Sequence, residues 1–109
     1  MKKEYRIKKN EEFSEIISLN KYFLSECFKI YRSKAKEAHS RVGISVSKKI
    51  GNAVVRNKIK RQVRMMLIES YDFDNISYDL IIIIRNKYLN KGYADTKSEL
   101  ELLIKKVII

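Results

Sequence analysis

The sequence predicts an α+β fold, one sheet with helices packed on it. Three observations carry that prediction. Residues 41–49 alternate between apolar and small side chains. Residues 10–19, 52–71 and 95–107 carry apolar side chains at helical spacing instead. The two patterns interleave within a single chain of 109 residues, which leaves room for one domain spanning 1–109 and one core. With 45% hydrophobic residues, no proline and no low-complexity tract, the chain has the composition of a folded globule rather than a disordered segment.

The elements follow in order. Asn10 stands where it caps a first helix, with Phe13, Ile16 and Ile17 on one face. Glu11 and Glu12 fall in its first turn, where the helix dipole favours anions. Residues 22–32, YFLSECFKIYR, are aromatic-rich and roughly alternating, which predicts one strand. Leu24, Phe28 and Ile30 would share one face of it, and Phe23, Ser25, Cys27, Lys29 and Tyr31 the other. A polar connection over 33–40 leads to RVGISVSKK at 41–49. There Val42, Ile44 and Val46 would face the core, while Gly43, Ser45 and Ser47 leave the second face small and open. A helix begins near Asn52 and runs on through MMLIESY. The strand YDLIIIIR at 78–85 is apolar on both faces and suits the middle of a sheet. The last helix is read over 95–107, with Thr96 and Glu99 as a capping box and Leu100, Leu103, Ile104 and Val107 as its buried stripe.

Charge is distributed unevenly. The net charge is +11, yet residues 38–68 contain no Asp or Glu and hold eight of the 24 Lys and Arg. Like charges concentrated in this way repel one another, and an external polyanion relieves them. The segment 51–64, GNAVVRNKIKRQVR, shows the arrangement. On a helical wheel with Arg56 at zero, Lys60, Arg64, Asn57 and Arg61 fall between about 40° and 140°. Val55, Ile59, Val63 and Met66 fall between about 260° and 340°, and Lys58 flanks the ridge near 200°. One side therefore docks on the sheet and the other is a cationic ridge. Arg56, Lys60 and Arg64 are like charges at i, i+4 and i+8, a mildly destabilising spacing that an ordinary solvated face avoids by mixing signs.

A membrane surface is the weaker polyanion, because its binding needs bulky apolar groups beside the cations and this helix commits them to the core. A helix reading the major groove of duplex DNA remains open. The other exposed surface favours single strands. Lys29 and Tyr31 share a strand face, and Phe13 stands where it borders the open Ser45 and Ser47 face. Aromatics and cations on an open sheet form a stacking platform for unpaired nucleotides. The alternative, that Phe13 and Tyr31 pack into the core, stays open at this point.

Machinery for autonomous catalysis is sparse. Cys27 is the single cysteine, so it forms no internal disulfide and reads as a buried structural thiol in a reducing compartment. His39, the single histidine, reads as solvated in a polar loop. Asp72, Asp74 and Asp79 lie close in sequence, and a weak Mg²⁺ site there is less expected than a solubilising connection. The opening MKKEYRIKKNEEF has no apolar stretch of the kind a secretory signal carries, and the longest apolar run, LIIII, is far shorter than the roughly 20 residues of a membrane span. A soluble, cytoplasmic binder without a small-molecule substrate is the expectation.

The stretch 41–64, RVGISVSKKIGNAVVRNKIKRQVR, resembles the signature of the bacterial ribonuclease P protein subunit family, and RIKKNEEF resembles that family's opening. Arg56, Asn57 and Lys58 match its Arg-Asn-Arg motif, followed by Lys60, Arg61 and Arg64. The resemblance implies a two-layer α/β sandwich of three helices and about four strands with a left-handed crossover. It also implies a partner RNA that is itself the catalyst and uses Mg²⁺, held mainly by that RNA, to remove the 5′ leader of precursor tRNA. The basic helix would bind the ribonuclease P RNA. A cleft carrying Phe13, Ile17, Tyr31, Ser45, Ser47 and Lys48 would bind the leader. Lys58 departs from the family's usual Arg, keeping charge but losing bidentate geometry. Ile17 stands where many members have a second aromatic, so apolar contact replaces stacking there.

Overall fold

The computed structural model describes all 109 residues. In chain order the elements are α1 (Asn10–Ser18), β1 (Tyr22–Leu24), β2 (Phe28–Lys34), β3 (Val42–Ser45), α2 (Ala53–Ser70), β4 (Tyr78–Ile84) and α3 (Tyr93–Val107). Short 3-10 turns occupy Lys3–Tyr5 and Asn86–Asn90. The sheet has four strands in the order β1-β2-β4-β3. The pairs β1/β2 and β2/β4 are antiparallel, and β3/β4 is parallel, joined by the α2 crossover.

Strand alternation sorts the sheet into two faces. Phe28, Ile30, Val42, Leu80, Ile82 and Ile84 point to one face and meet Ile59, Val63, Met66 and Leu67 of α2 and Leu100, Leu103, Ile104 and Val107 of α3 in the main core. Ile81 and Tyr31 point to the other face, where α1 brings Ile16, and Ile7 completes a small second cluster. α2 and α3 thus form the helical layer of the sandwich, and α1 lies alone across the opposite face. β4 is buried along nearly its whole length, as a strand apolar on both faces requires.

Four local expectations are corrected. The single strand at 22–32 is a hairpin: Ser25 N–H donates to the Phe28 carbonyl, and the chain reverses at residues 25–27. The reversal puts Leu24 opposite Lys29, on the face away from Phe28 and Ile30, while Phe23 joins the main core and Cys27 is fully buried in it. The strand from 41 ends at Ser45, because Ser47 starts a turn in which its Oγ accepts from Lys49 N–H and its carbonyl from Ile50 N–H. α1 is preceded by Lys9 as its flanking residue, and Asn10 is its first residue rather than its cap. α3 starts one turn before the proposed capping box. Thr96 Oγ1 donates back to the Gly92 and Tyr93 carbonyls, and Glu99 is engaged elsewhere.

Glu99 is a latch between α3 and the hairpin. Its Oε2 accepts from Ser25 Oγ at 2.6 Å and Cys27 N–H at 2.7 Å, and its Oε1 accepts from Lys91 at 2.9 Å. Burial by itself would raise the Glu99 carboxyl, but these donors outweigh it and hold the group below the usual carboxylate value. Burial, then the Glu99 charge, pushes the Cys27 thiol up to about 11, so it stays an inert thiol at neutral pH. His39 is half-buried rather than solvated, edge-on to Tyr5 at 5.2 Å.

Candidate nucleic-acid interface

α2 starts beside Asn52, as the sequence predicts, and there Asn52 Oδ1 accepts from Val55 N–H at 3.0 Å as a side-chain cap. From there Ile59, Val63, Met66 and Leu67 turn into the core, which fixes the rotation of the helix about its axis. The same rotation leaves Asn57, Lys58 and Arg61 exposed and Arg56, Lys60 and Arg64 half-buried, with Lys60 and Arg64 on the side towards α1. None of these five cations makes an ion pair with any carboxylate of the chain. Arg56 makes one internal bond, donating to the Gly51 carbonyl at 2.9 Å, which orders the guanidinium without neutralising it. Burial, and then the neighbouring Arg6 charge, lowers the Arg64 guanidinium below its ordinary value. Val54, Met65 and Ile68 are exposed on the same helix, so the outward face is less uniformly polar than the wheel implied.

Between α1 and α2 lies a groove of about 480 Å³. Phe13 and Ile17 of α1 form one wall, Lys60 and Arg64 of α2 the other, and Ile44, Ser45 and Val46 the floor. Ile7 and Lys8, which the sequence did not single out, close one end together with Asn10, which the sequence marks only as a helix cap. The N-terminal segment reaches this place because Arg6 bridges to Val42 and Ile7 N–H donates to the Val42 carbonyl, extending the edge of β3. Gly43 sets how closely α1 approaches: a Cβ there would lie 2.6 Å from Phe13 Cζ and 2.9 Å from Ile81 Cδ1.

The seating of α1 is electrostatic as well as apolar. Arg41 donates to Glu12 Oε2 of α1 at 2.6 Å and to Asp79 Oδ2 of β4 at 3.0 Å, and its N–H donates to Asp79 Oδ1 at 3.0 Å. Asp79 is fully buried. The Arg41 hydrogen bond holds the Glu12 carboxyl below the usual range. Asp74 instead accepts from Tyr5 and Asp72 from Asn75, so the three aspartates do not converge, and no cluster of three His, Cys, Asp or Glu side chains forms anywhere.

The proposed cleft residues are placed unequally. Phe13, Ile17 and Ser45 line the groove together. Tyr31 is only 6% exposed, packed under α1 in the second cluster and outside the groove lining, and is not an open ring. Ser47 and Lys48 are exposed but lie in the turn after β3, outside the groove lining and off any strand edge. Lys29 is half-buried with its Nζ above the ring of Tyr31, at 5.0 Å, and of Tyr22, at 4.3 Å. Tyr22 was not singled out in the sequence; its pairing with Tyr31 across the hairpin is invisible until the chain reversal is known. No helix is long and apolar enough to cross a membrane.

The profile of the family described as Ribonuclease P matches residues 1–108. The ribonuclease P protein component of Mesoplasma florum is 46% identical over 105 residues, covering 95% of this chain and 96% of that protein. That of Listeria innocua is 43% identical over 106 residues, covering 96% and 89%. Among solved structures, the Staphylococcus aureus RNase P protein superposes with a TM-score of 0.83 at 37% identity, covering 94% of each chain. The Thermotoga maritima RNase P protein does so with a TM-score of 0.76 at 26% identity, covering 90% of this chain and 94% of that one.

Proposed function

The chain belongs to the bacterial ribonuclease P protein family, and from that membership and its surface we propose that it assists removal of the 5′ leader from precursor tRNA by a catalytic RNA. The observation that carries the reading is the shared wall: Lys60 and Arg64 belong both to an unpaired cationic helix and to a groove whose other wall is Phe13 and Ile17. Arg56, Asn57, Lys58, Lys60, Arg61 and Arg64 hold phosphates of the ribonuclease P RNA. Phe13, Ile17 and Ser45 receive the single-stranded leader, with Phe13 stacking on a base and Tyr31 packed beneath α1 to hold that wall in place.

The chain's own chemistry is then positioning. Cations beside a half-buried groove draw the phosphate backbone in and fix its register, and the apolar wall accepts unpaired bases irrespective of sequence. Mg²⁺ held by the RNA would supply the activated water and the charge stabilisation that phosphodiester hydrolysis requires, while this chain's residues bind and orient the substrate. The contribution is affinity for leader-bearing substrate and neutralisation of RNA charge at the docking surface. The setting for this work is the cytoplasm.

Reconstitution tests it. The chain is mixed with a bacterial ribonuclease P RNA and precursor tRNA at low Mg²⁺, and 5′ cleavage is followed. Stimulated cleavage at the mature 5′ end is expected. Cleavage equal to that of the RNA alone rejects the reading.

A further inference from the structure

We propose that the single-strand surface of this chain does not end at the groove but continues across the sheet to a second nucleobase platform, Tyr22 with Lys29, at the β1 edge. The inference rests on the leader reading above and names where a longer leader goes.

The sheet register carries it. Ser45 of β3, Ile83 of β4, Lys29 of β2 and Leu24 of β1 are successive partners in one row on the α1 side of the sheet. The next row, Gly43, Ile81, Tyr31 and Tyr22, is covered by α1 from Gly43 to Tyr31 and emerges at Tyr22. Ser45, Ile83 and Lys29 are each part-exposed, and Leu24 and Tyr22 are 52% and 42% exposed. A part-exposed strip thus runs alongside α1 from the groove to the far edge, about 14 Å at the spacing of neighbouring strands.

The end of the strip is built for a base and a phosphate. Tyr22 and Tyr31 are cross-strand partners with ring centroids 5.6 Å apart. Lys29 Nζ sits above both rings, and no carboxylate pairs with it. The ammonium holds Tyr22 against its buried neighbour, so the ring is ordered before a ligand arrives. α1 delivers Tyr22 to this place through Asn20, whose φ of 55° turns the chain sharply into β1. An exposed tyrosine stacked by a cation, on the same face as the groove, is a stacking site for an unpaired base with a charge for its phosphate.

The test uses the chain reconstituted with a ribonuclease P RNA, and precursor tRNAs whose leaders lengthen one nucleotide at a time. Dissociation constants are measured for wild type, Tyr22→Ala, Tyr22→Phe, Tyr22→Leu and Phe13→Ala. For wild type, affinity gains a late step once the leader spans the strip. Tyr22→Ala and Tyr22→Leu lose that step, about 5- to 150-fold for the long leaders, with short leaders and mature tRNA unchanged; Tyr22→Phe keeps it. Tyr22→Leu retains apolar bulk against Tyr31, so its loss of the step separates stacking from folding. Absence of a late step in wild type overturns the proposal, as does an equal loss at every leader length in Tyr22→Ala. If Phe13→Ala weakens leader-bearing substrate while both Tyr22 variants do not, the extension falls and the groove stands. If Phe13→Ala also changes nothing, the leader reading falls and takes the extension with it.

Discussion

Arg41 and the cations of α2 belong to the same acid-free stretch of sequence, yet they live under opposite electrostatic conditions. Arg41 is nearly buried between Glu12 and the fully buried Asp79, with both carboxylates within 3.0 Å. Arg56, Lys58, Lys60, Arg61 and Arg64 face solvent or the groove with no acid in reach. The acids that neutralise Arg41 come from α1 and β4, distant in sequence. Proximity along the chain therefore says little about whether a cation builds the fold or serves a partner. The difference teaches a division of labour: one arginine is spent internally to seat α1, and the ridge is left for an external polyanion.

The contrast is sharpest where a single substitution acts on stability in one region and on binding in the other. Arg41→Met is expected to have the largest effect, about 3–5 kcal/mol of lost stability in urea unfolding, because it strands Asp79 as an unpaired buried charge. A cost below about 1 kcal/mol would mean that the pair is no stronger than a surface one. On the ridge, Arg61→Ala should leave stability within about 0.5 kcal/mol, since exposed positions without partners rarely matter to folding. Its effect appears in RNA binding instead. With five cations engaged, the logarithm of affinity for the ribonuclease P RNA should fall against log salt with a slope of about −3.5 to −4.5, and each ridge cation removed should reduce that slope by about 0.7 to 0.9. A slope indifferent to salt would place the RNA elsewhere.

The smallest effect concerns pH. The Arg41 hydrogen bond holds the folded Glu12 carboxyl below its ordinary value of 4.5. Its stabilisation is therefore complete above that pH and is lost as pH falls through the lower folded value. Glu12→Gln should accordingly flatten part of the acid limb of a stability-versus-pH curve while leaving the ridge's salt slope untouched. An unchanged acid limb would show that Glu12 contributes little to seating α1.

Much of this was legible in the residues. The i, i+4, i+8 cations of α2 and its apolar complement at Ile59, Val63 and Met66 both follow from helical geometry alone, and the helix starts beside Asn52, near where it was read. The apolar run from Leu80 to Ile84 announced the central place of β4 in the same way. The hairpin was illegible because its turn at Ser25, Glu26 and Cys27 contains no glycine, proline or asparagine. Glu99 in the α3 reading failed for a related reason. A Thr and a Glu three apart satisfy the capping pattern, but Glu99 finds better donors in Ser25 and Cys27 across the molecule.

By itself, the sequence determined the α+β class, the helical faces and the excess of cations along α2. Those properties depend on local periodicity, and local periodicity survives without knowledge of neighbours. Only the tertiary structure decided which cations are neutralised, that Tyr31 lies buried while Tyr22 stands open, and that α1 and α2 meet across a groove. Charge pairing and exposure depend on which distant segments the sheet brings within a few ångströms, and no spacing along the chain encodes that.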